Sequence, residues 1–316
     1  MPTYQDISRH TTNVLLPEEV SSEIWAKAID ESAFMQLATQ IAIPGPGVKV
    51  QTITSEPTAD WVDETNAKPV SFHGFGKKTI TPYKLAVIEP FSEEFRRDKA
   101  ALYAECIRRL PGALSKKYDQ TIMSATAPGT GFDVLGTGVD TQSILPASSP
   151  TAISVYDRFV ALDAAISAAD GIMNAIALSP QGKSIVLGAT DTVGHPLFTP
   201  GVESNTIGNI LGASVAISKG VYVAGTAGST PAVVGVAGDF SGVRWGSVEG
   251  IKMSVSDQAT LTYNDGDAHT INLWQQNMFA VRFEIEVAFA VMDKTQLVLL
   301  TGNTPAASTT TTTTGD

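Results

Sequence analysis

"TADWVDETNAKPVSFHGFGKKTITPYKLAVIEP", residues 58–90, decides how this chain is read. Trp61, Phe72 and Phe75 sit among charges, amides and prolines, with no helical period and no apolar run able to bury itself. The stretch reads as two extended arms, about 59–64 and 72–88, around a tip containing proline and glycine. An isolated two-stranded hairpin is marginal in water; more strands or a packing partner are needed. Large aromatics on half-polar arms therefore require a surface that this segment does not supply.

Upstream, "VKVQTIT" alternates as a strand and "PGPG" (44–47) stops whatever precedes it. Residues 1–45 read as an arm with a helical stripe of Val20, Ile24, Ala28 and Phe34/Met35 behind Pro17. Downstream the period changes to four: Leu102, Cys106, Leu110, Leu114 and Tyr118 predict an amphipathic helix from Ser92 to about Ala125, kinked or divided at Pro111. It carries Arg96, Arg97, Lys99, Arg108, Arg109, Lys116 and Lys117, the most basic segment of the chain.

"APGTGFDVLGTG" connects to a mixed unit over about 136–264. There "SVYDRFVALDAAISAA" predicts a helix, and "AIALSP", "GVYVAGTAG", "AVVGVAGDF" and "IKMSVSDQATLTY" predict strands. "NMFAVRFEIEVAFAVMD" alternates Phe279, Val281, Phe283, Ile285, Val287 and Phe289, a long strand with one apolar face, and "TQLVLLT" ends the folded part. The threonine-rich tail, 304–316, is low in complexity.

Composition narrows the function. Of 316 residues, 43% are hydrophobic and only 17% charged, against roughly 25% charged in ordinary soluble domains. Such a surface suits one covered by further copies. The net charge of −11 excludes a grip on duplex DNA through a basic face. A single cysteine, Cys106, rules out an internal disulfide and suits a reducing compartment. "MPTYQDISRH" lacks the features of a signal peptide, and the apolar run Val287–Met292 is far short of the about 20 residues a membrane helix needs. The expectation is a cytoplasmic product with no membrane partner.

Catalytic and cofactor motifs fail on spacing. "SPQGKS" (179–184) has Ala177 where a phosphate loop needs its first glycine. The glycines of 129–138 follow a helix, not a strand, and are misspaced for a dinucleotide fingerprint. An enzyme binding nucleotide at either place is the weakest reading. His10, His73, His195 and His269 lack ligand-spaced partners, and "NDGDAH" (264–269) reads as a turn between strands rather than a calcium loop. Asp63/Glu64 read as a solvated arm and Glu93/Glu94 as a helix N-terminus. No enzyme activity, metal or cofactor is expected.

The order of phrases carries more. "ADWVDE" (59–64), "KLAVIEPFSEEFRRD" (84–98), "GDFSGVRWGSVEGIKMSVSDQAT" (238–260) and "LWQQNMFAVRFEIEVAFAVMDKTQLVLLT" (273–301) together resemble the major capsid proteins of tailed bacteriophages, over about residues 15–303. The resemblance implies an α+β chain with the Hong Kong 97-like fold: an N-terminal arm (1–45), an extended hairpin loop (46–90), and a peripheral domain with a spine helix (91–135 and 265–303). An axial domain (136–264) and the tail (304–316) complete it. It implies a structural protein that assembles as hexamers and pentamers into an icosahedral head around double-stranded DNA. Trp61, Glu64, Phe72, Phe75, Lys77 and Lys78 become the expected subunit-interface residues.

Further partners implied are a portal, a decoration protein and, since the chain opens directly on its arm, a separate scaffolding protein or none. Some members weld subunits through a lysine–asparagine bond beside a glutamate. Lys68, Lys77 and Lys78 lie on the loop and Asn272 and Asn277 beyond it, but nothing pairs them, and no crosslink is carried over. The alternative in the same fold is the shell of a nanocompartment that encloses an enzyme.

Overall fold

The computed structural model describes residues 28–302 apart from 30, 56, 65, 99, 148–152, 191–194, 199–207, 227–229 and 266. The arm's Val20 and Ile24 and the threonine tail lie outside the described residues.

One long strand organises the first sheet. In β14 (Met278–Val291) alternate side chains, Phe279 through Phe289, enter the main core, as the period-2 pattern requires. β10 (Val243–Ser247) and β11 (Lys252–Ser256) pair antiparallel with successive parts of one edge of β14. β4 (Tyr83–Ser92) pairs with the other edge from Met278 to Val287. The short β1 (Thr39–Gln40) adds in parallel to β10, completing a five-stranded sheet. Across its apolar face lies α3 (Ala100–Met123), with Leu110, Leu114, Tyr118 and Ile122 buried one turn apart. The shorter α2 (Glu93–Asp98) precedes it.

The second sheet is six-stranded, in the order β5 (Asp140–Ser143), β15 (Leu297–Gly302), β9 (Ala232–Gly238), β6 (Ala175–Leu178), β8 (Ala213–Ile217), β7 (Asn209–Ile210). Its central strands β15, β9 and β6 are buried on both faces. Ala175, Ala177, Leu297 and Leu299 join the main core, whereas Ile176, Leu178, Val298 and Leu300 join a second one. That second core is closed by α4 (Val155–Ala168) through Phe159, Leu162 and Ile166, and by α5 (Pro180–Leu187) through Val186. Ser154 and Asp157 form a reciprocal capping box that starts α4.

Two hairpins belong to neither sheet: β2 (Val48–Ser55) with β3 (Gly74–Ile80), and β12 (Thr260–Asp265) with β13 (Asp267–Asn272). The second carries its paired strands into 264–265 and 267–269, part of the stretch where a turn between strands is expected.

Several expectations change. The hairpin's strands are 48–55 and 74–80; 59–64 is not a strand, and 83–92 belongs to the five-stranded sheet. The break falls at Thr81–Pro82, because proline has no N–H to continue a ladder and Thr81 N–H turns aside to Gly131 O (2.9 Å). Pro111 does not divide its helix. Leu110 and Leu114 beside it are buried, and that packing outweighs one lost backbone bond. "GVYVAGTAG" makes no strand, only two isolated bridges, Val223–Val233 and Thr226–Thr230, after a 3₁₀ turn at Lys219–Val221. The assumed division is also redrawn: β10 and β11, placed in 136–264, pair with β14, while β15, placed in 265–303, pairs with β5 and β9.

Candidate assembly surface

The β2–β3 hairpin is anchored at its base and bare at its tip. Gly47, at φ +88, makes the entry: a Cβ there would meet Ile80 O at 2.6 Å. Ile80 packs with Ile43, Ala288 and Ala290, and Val48 and Val50 lie against the same cluster on the back of β14. Lys78 completes the anchor with an ion pair to Asp133 Oδ2 (2.6 Å) and a hydrogen bond donated to Val291 O. Asp133 Oδ2 also accepts from Val291 N–H (2.7 Å). Tyr83 OH donates to Thr130 O (2.8 Å) and fixes the exit into β4.

Beyond the base, strand alternation separates two faces. Phe75 and Lys77 point out, whereas Lys78 and Ile80 point in. Trp61 is fully exposed, and Val70, Phe72 and Phe75 are 79%, 81% and 74% exposed. The tip keeps some order of its own: Thr58 N–H donates to Ser71 Oγ (2.8 Å), Asn66 N–H to Asp63 O (3.2 Å), and His73 lies 6.2 Å from the Phe75 ring. Apolar surface so arranged is what an interface core requires, and aromatic anchors dominate such interfaces.

Of the expected interface residues, the structure brings Phe72, Phe75 and Lys77 to one exposed end, with Trp61 and Glu64 in the same tip. Lys78 is a correction. Its ammonium is spent within its own chain, because a one-residue step along a strand reverses the face. Val70 and Trp274 (71% exposed) are further large exposed apolar side chains that the sequence reading did not single out. Trp274 stands just outside the alternating run of β14, the one signal that could have found it. Asn277, at φ 54, donates from Nδ2 to Glu94 Oε1 (2.6 Å) and accepts Glu93 N–H (3.1 Å), joining the start of β14 to α2.

A second constellation ties the two sheets together. Asp119 on α3 is fully buried. Its Oδ1 accepts the Ser32 hydroxyl (2.6 Å), and its Oδ2 accepts the Ser218 hydroxyl (2.6 Å) and Ala33 N–H (3.1 Å). Ser32 is the N-cap of α1 (Ala33–Leu37), and Ser218 follows β8. Gly220 lies so close that a Cβ would meet Asp119 Cβ and Lys116 O at 2.6 Å. Burial raises the Asp119 pKa to about 6 against the lowering effect of these hydrogen bonds. Sequence alone did not single it out, since a lone aspartate in a helix looks like solvated surface.

No His/Cys/Asp/Glu cluster suited to a metal occurs among the described residues. No helix among them is long and apolar enough to cross a membrane.

The phage capsid family model matches residues 12–302. The probable major capsid protein gp17 of Mycobacterium phage L5 is 30% identical over 301 residues, covering 90% of this chain and 89% of that protein. Its counterpart in Mycobacterium phage D29 is 30% identical over 295 residues with the same coverage. Among solved structures, a Mycobacterium phage Adephagia chain superposes with a TM-score of 0.67 at 20% identity, covering 87% of this chain and 91% of that one. A Gordonia phage Cozz chain gives 0.65 at 22% identity, covering 91% of each. The Hong Kong 97-like capsid fold expected from the phrase order is the fold found. The chain belongs to the phage capsid family.

Proposed function

We propose that this capsid-family protein is the major shell subunit of a tailed phage, assembling as hexamers and pentamers into an icosahedral head that encloses double-stranded DNA. The observation that carries the reading is the hairpin whose base is packed on its own subunit while Trp61, Val70, Phe72 and Phe75 stand in solvent. Such a tip is stabilised only by covering a neighbour, and in a shell the neighbour is another copy. Trp61, Glu64, Phe72, Phe75 and Lys77 are the proposed contact residues.

In this assignment β2–β3 is the extended loop. The five-stranded sheet with α3 is the peripheral domain, and the six-stranded sheet with α4 and α5 is the axial one. Assembly occurs in the host cytoplasm and the product resides in the virion, with a portal, a separate scaffolding protein and a decoration protein as further partners. The protein has no catalytic turnover. The relatives reported above are phage capsid proteins, which favours a genome-bearing shell over a nanocompartment.

Electron microscopy of the expressed chain, alone and with a scaffolding protein, tests this. Closed shells or capsomers are expected. A monodisperse monomer at high concentration under both conditions would refute it.

A further inference from the structure

The two faces of the six-stranded sheet carry different surfaces. On one side α4 buries Phe159, Leu162 and Ile166 and turns Tyr156, Val160 and Ala164 outward, with Asp157 and Asp163 beside them. Val160 is 46% exposed, although a lone helix in water would carry polar groups there. On the opposite side, between α3 and the turn after β8, lies a groove of about 530 Å³. Ala113 and Ile217 line it as apolar groups, Arg109, Lys116 and Lys219 as cations, and Glu31 as the single acid. Lys116 and Lys219 are exposed at its rim.

We propose that the outward face of α4 docks into this groove on the next copy, forming a head-to-tail contact within each ring of subunits. The contact rests on the self-assembly reading above and adds to it a second, lateral interface independent of the hairpin. Three features support it. An acidic, apolar-centred helix face meets a basic groove with apolar lining, so charge and hydrophobicity are both complementary. The two patches lie on opposite faces of one sheet, so one copy can engage a neighbour on each side. Unlike patches in contact form a heterologous interface, which can close into a ring, whereas a patch contacting itself stops at a dimer. Tyr156 and Val160 supply the anchor, and Asp163 against Lys219 supplies the register.

Charge reversal tests the pairing. Asp163→Lys and Lys219→Glu each place like charges in contact, and each should lower shell yield about tenfold at equal protein concentration. The double variant, Asp163→Lys with Lys219→Glu, should recover most of that yield, because every copy then presents both reversed patches. Circular dichroism and unfolding midpoints of the unassembled chains should match the wild type, showing that assembly rather than folding is affected. Single variants that assemble like the wild type, or a folded double variant no better than either single, overturn the contact while leaving the assembly reading intact. Wild-type chains that never form shells overturn that reading, and the contact falls with it.

Discussion

A carboxylate that accepts several hydrogen bonds is ordinarily held ionised, yet burial prevails at Asp119 and lifts its pKa from 3.8 to about 6. The folded chain then binds the proton more tightly than the unfolded one. Stability from this group is full below the unfolded pKa and is lost as pH rises through about 6, a penalty of roughly 3 kcal/mol at neutral pH. Asp119→Asn removes the titration, so the wild type should gain about 2 kcal/mol on the variant as pH falls from 7.5 to 4.5. Urea melts of both chains across that range measure it; parallel curves would refute the burial argument. Asp119→Ala should cost about 2 to 4 kcal/mol at neutral pH, because Ser32, Ser218 and Ala33 N–H are left buried without their acceptor, and about 2 kcal/mol more at pH 4.5, since it too loses the titration. The adjacent lysines of β3 separate folding from assembly in the same way. Lys78→Ala strips the partner from Asp133 and should lower the melting point of the single chain by about 1 kcal/mol equivalent. Lys77→Ala should leave that melting point alone and weaken only the particle.

Elements with a strong period were legible: β14 from its alternating aromatics and aliphatics, and α3 from apolar residues every fourth position. The hairpin was legible as an object but not in its boundaries. Its exposed tip and its strands share the same mixture of Lys, Thr, Gly and aromatics, and only pairing with Val48–Ser55 shows which residues form the ladder. The exposed tip predicts a separable part. Deleting about Thr65 to Lys77 should leave a soluble folded chain, since the base contacts through Ile80, Val48 and Val50 survive, yet no stable shells should form. Shells of normal heat resistance from the truncated chain would show that the tip is not an interface. Trp61→Ala is the milder form, with about 2 to 4 kcal/mol expected for each buried aromatic anchor removed from a contact.

At the scale of the molecule, the sequence order of strands concealed how they are shared between sheets. β10 and β11 follow strands of the six-stranded sheet in the chain but return to β14, and β15 follows β14 but crosses to β9. Local pattern cannot reveal this, because β15 is buried on both faces and reads as a continuous apolar run in either sheet. Net charge is the one molecular property that needs no topology, and it yields a prediction about the genome. With 32 acidic against 21 basic residues, the chain is poorly suited to hold DNA by neutralising many phosphates, so the proposed shell reading predicts retention by enclosure. Proteins that make several phosphate contacts lose affinity about 10³- to 10⁵-fold between 50 and 200 mM salt. The unassembled chain should therefore show no saturable binding to duplex DNA by fluorescence anisotropy at physiological salt. Filled particles should keep their DNA protected from nuclease after transfer to about 1 M salt, where the Debye length falls to roughly 3 Å. Salt-triggered release from intact shells would instead mean that the basic residues of α3 hold the genome directly.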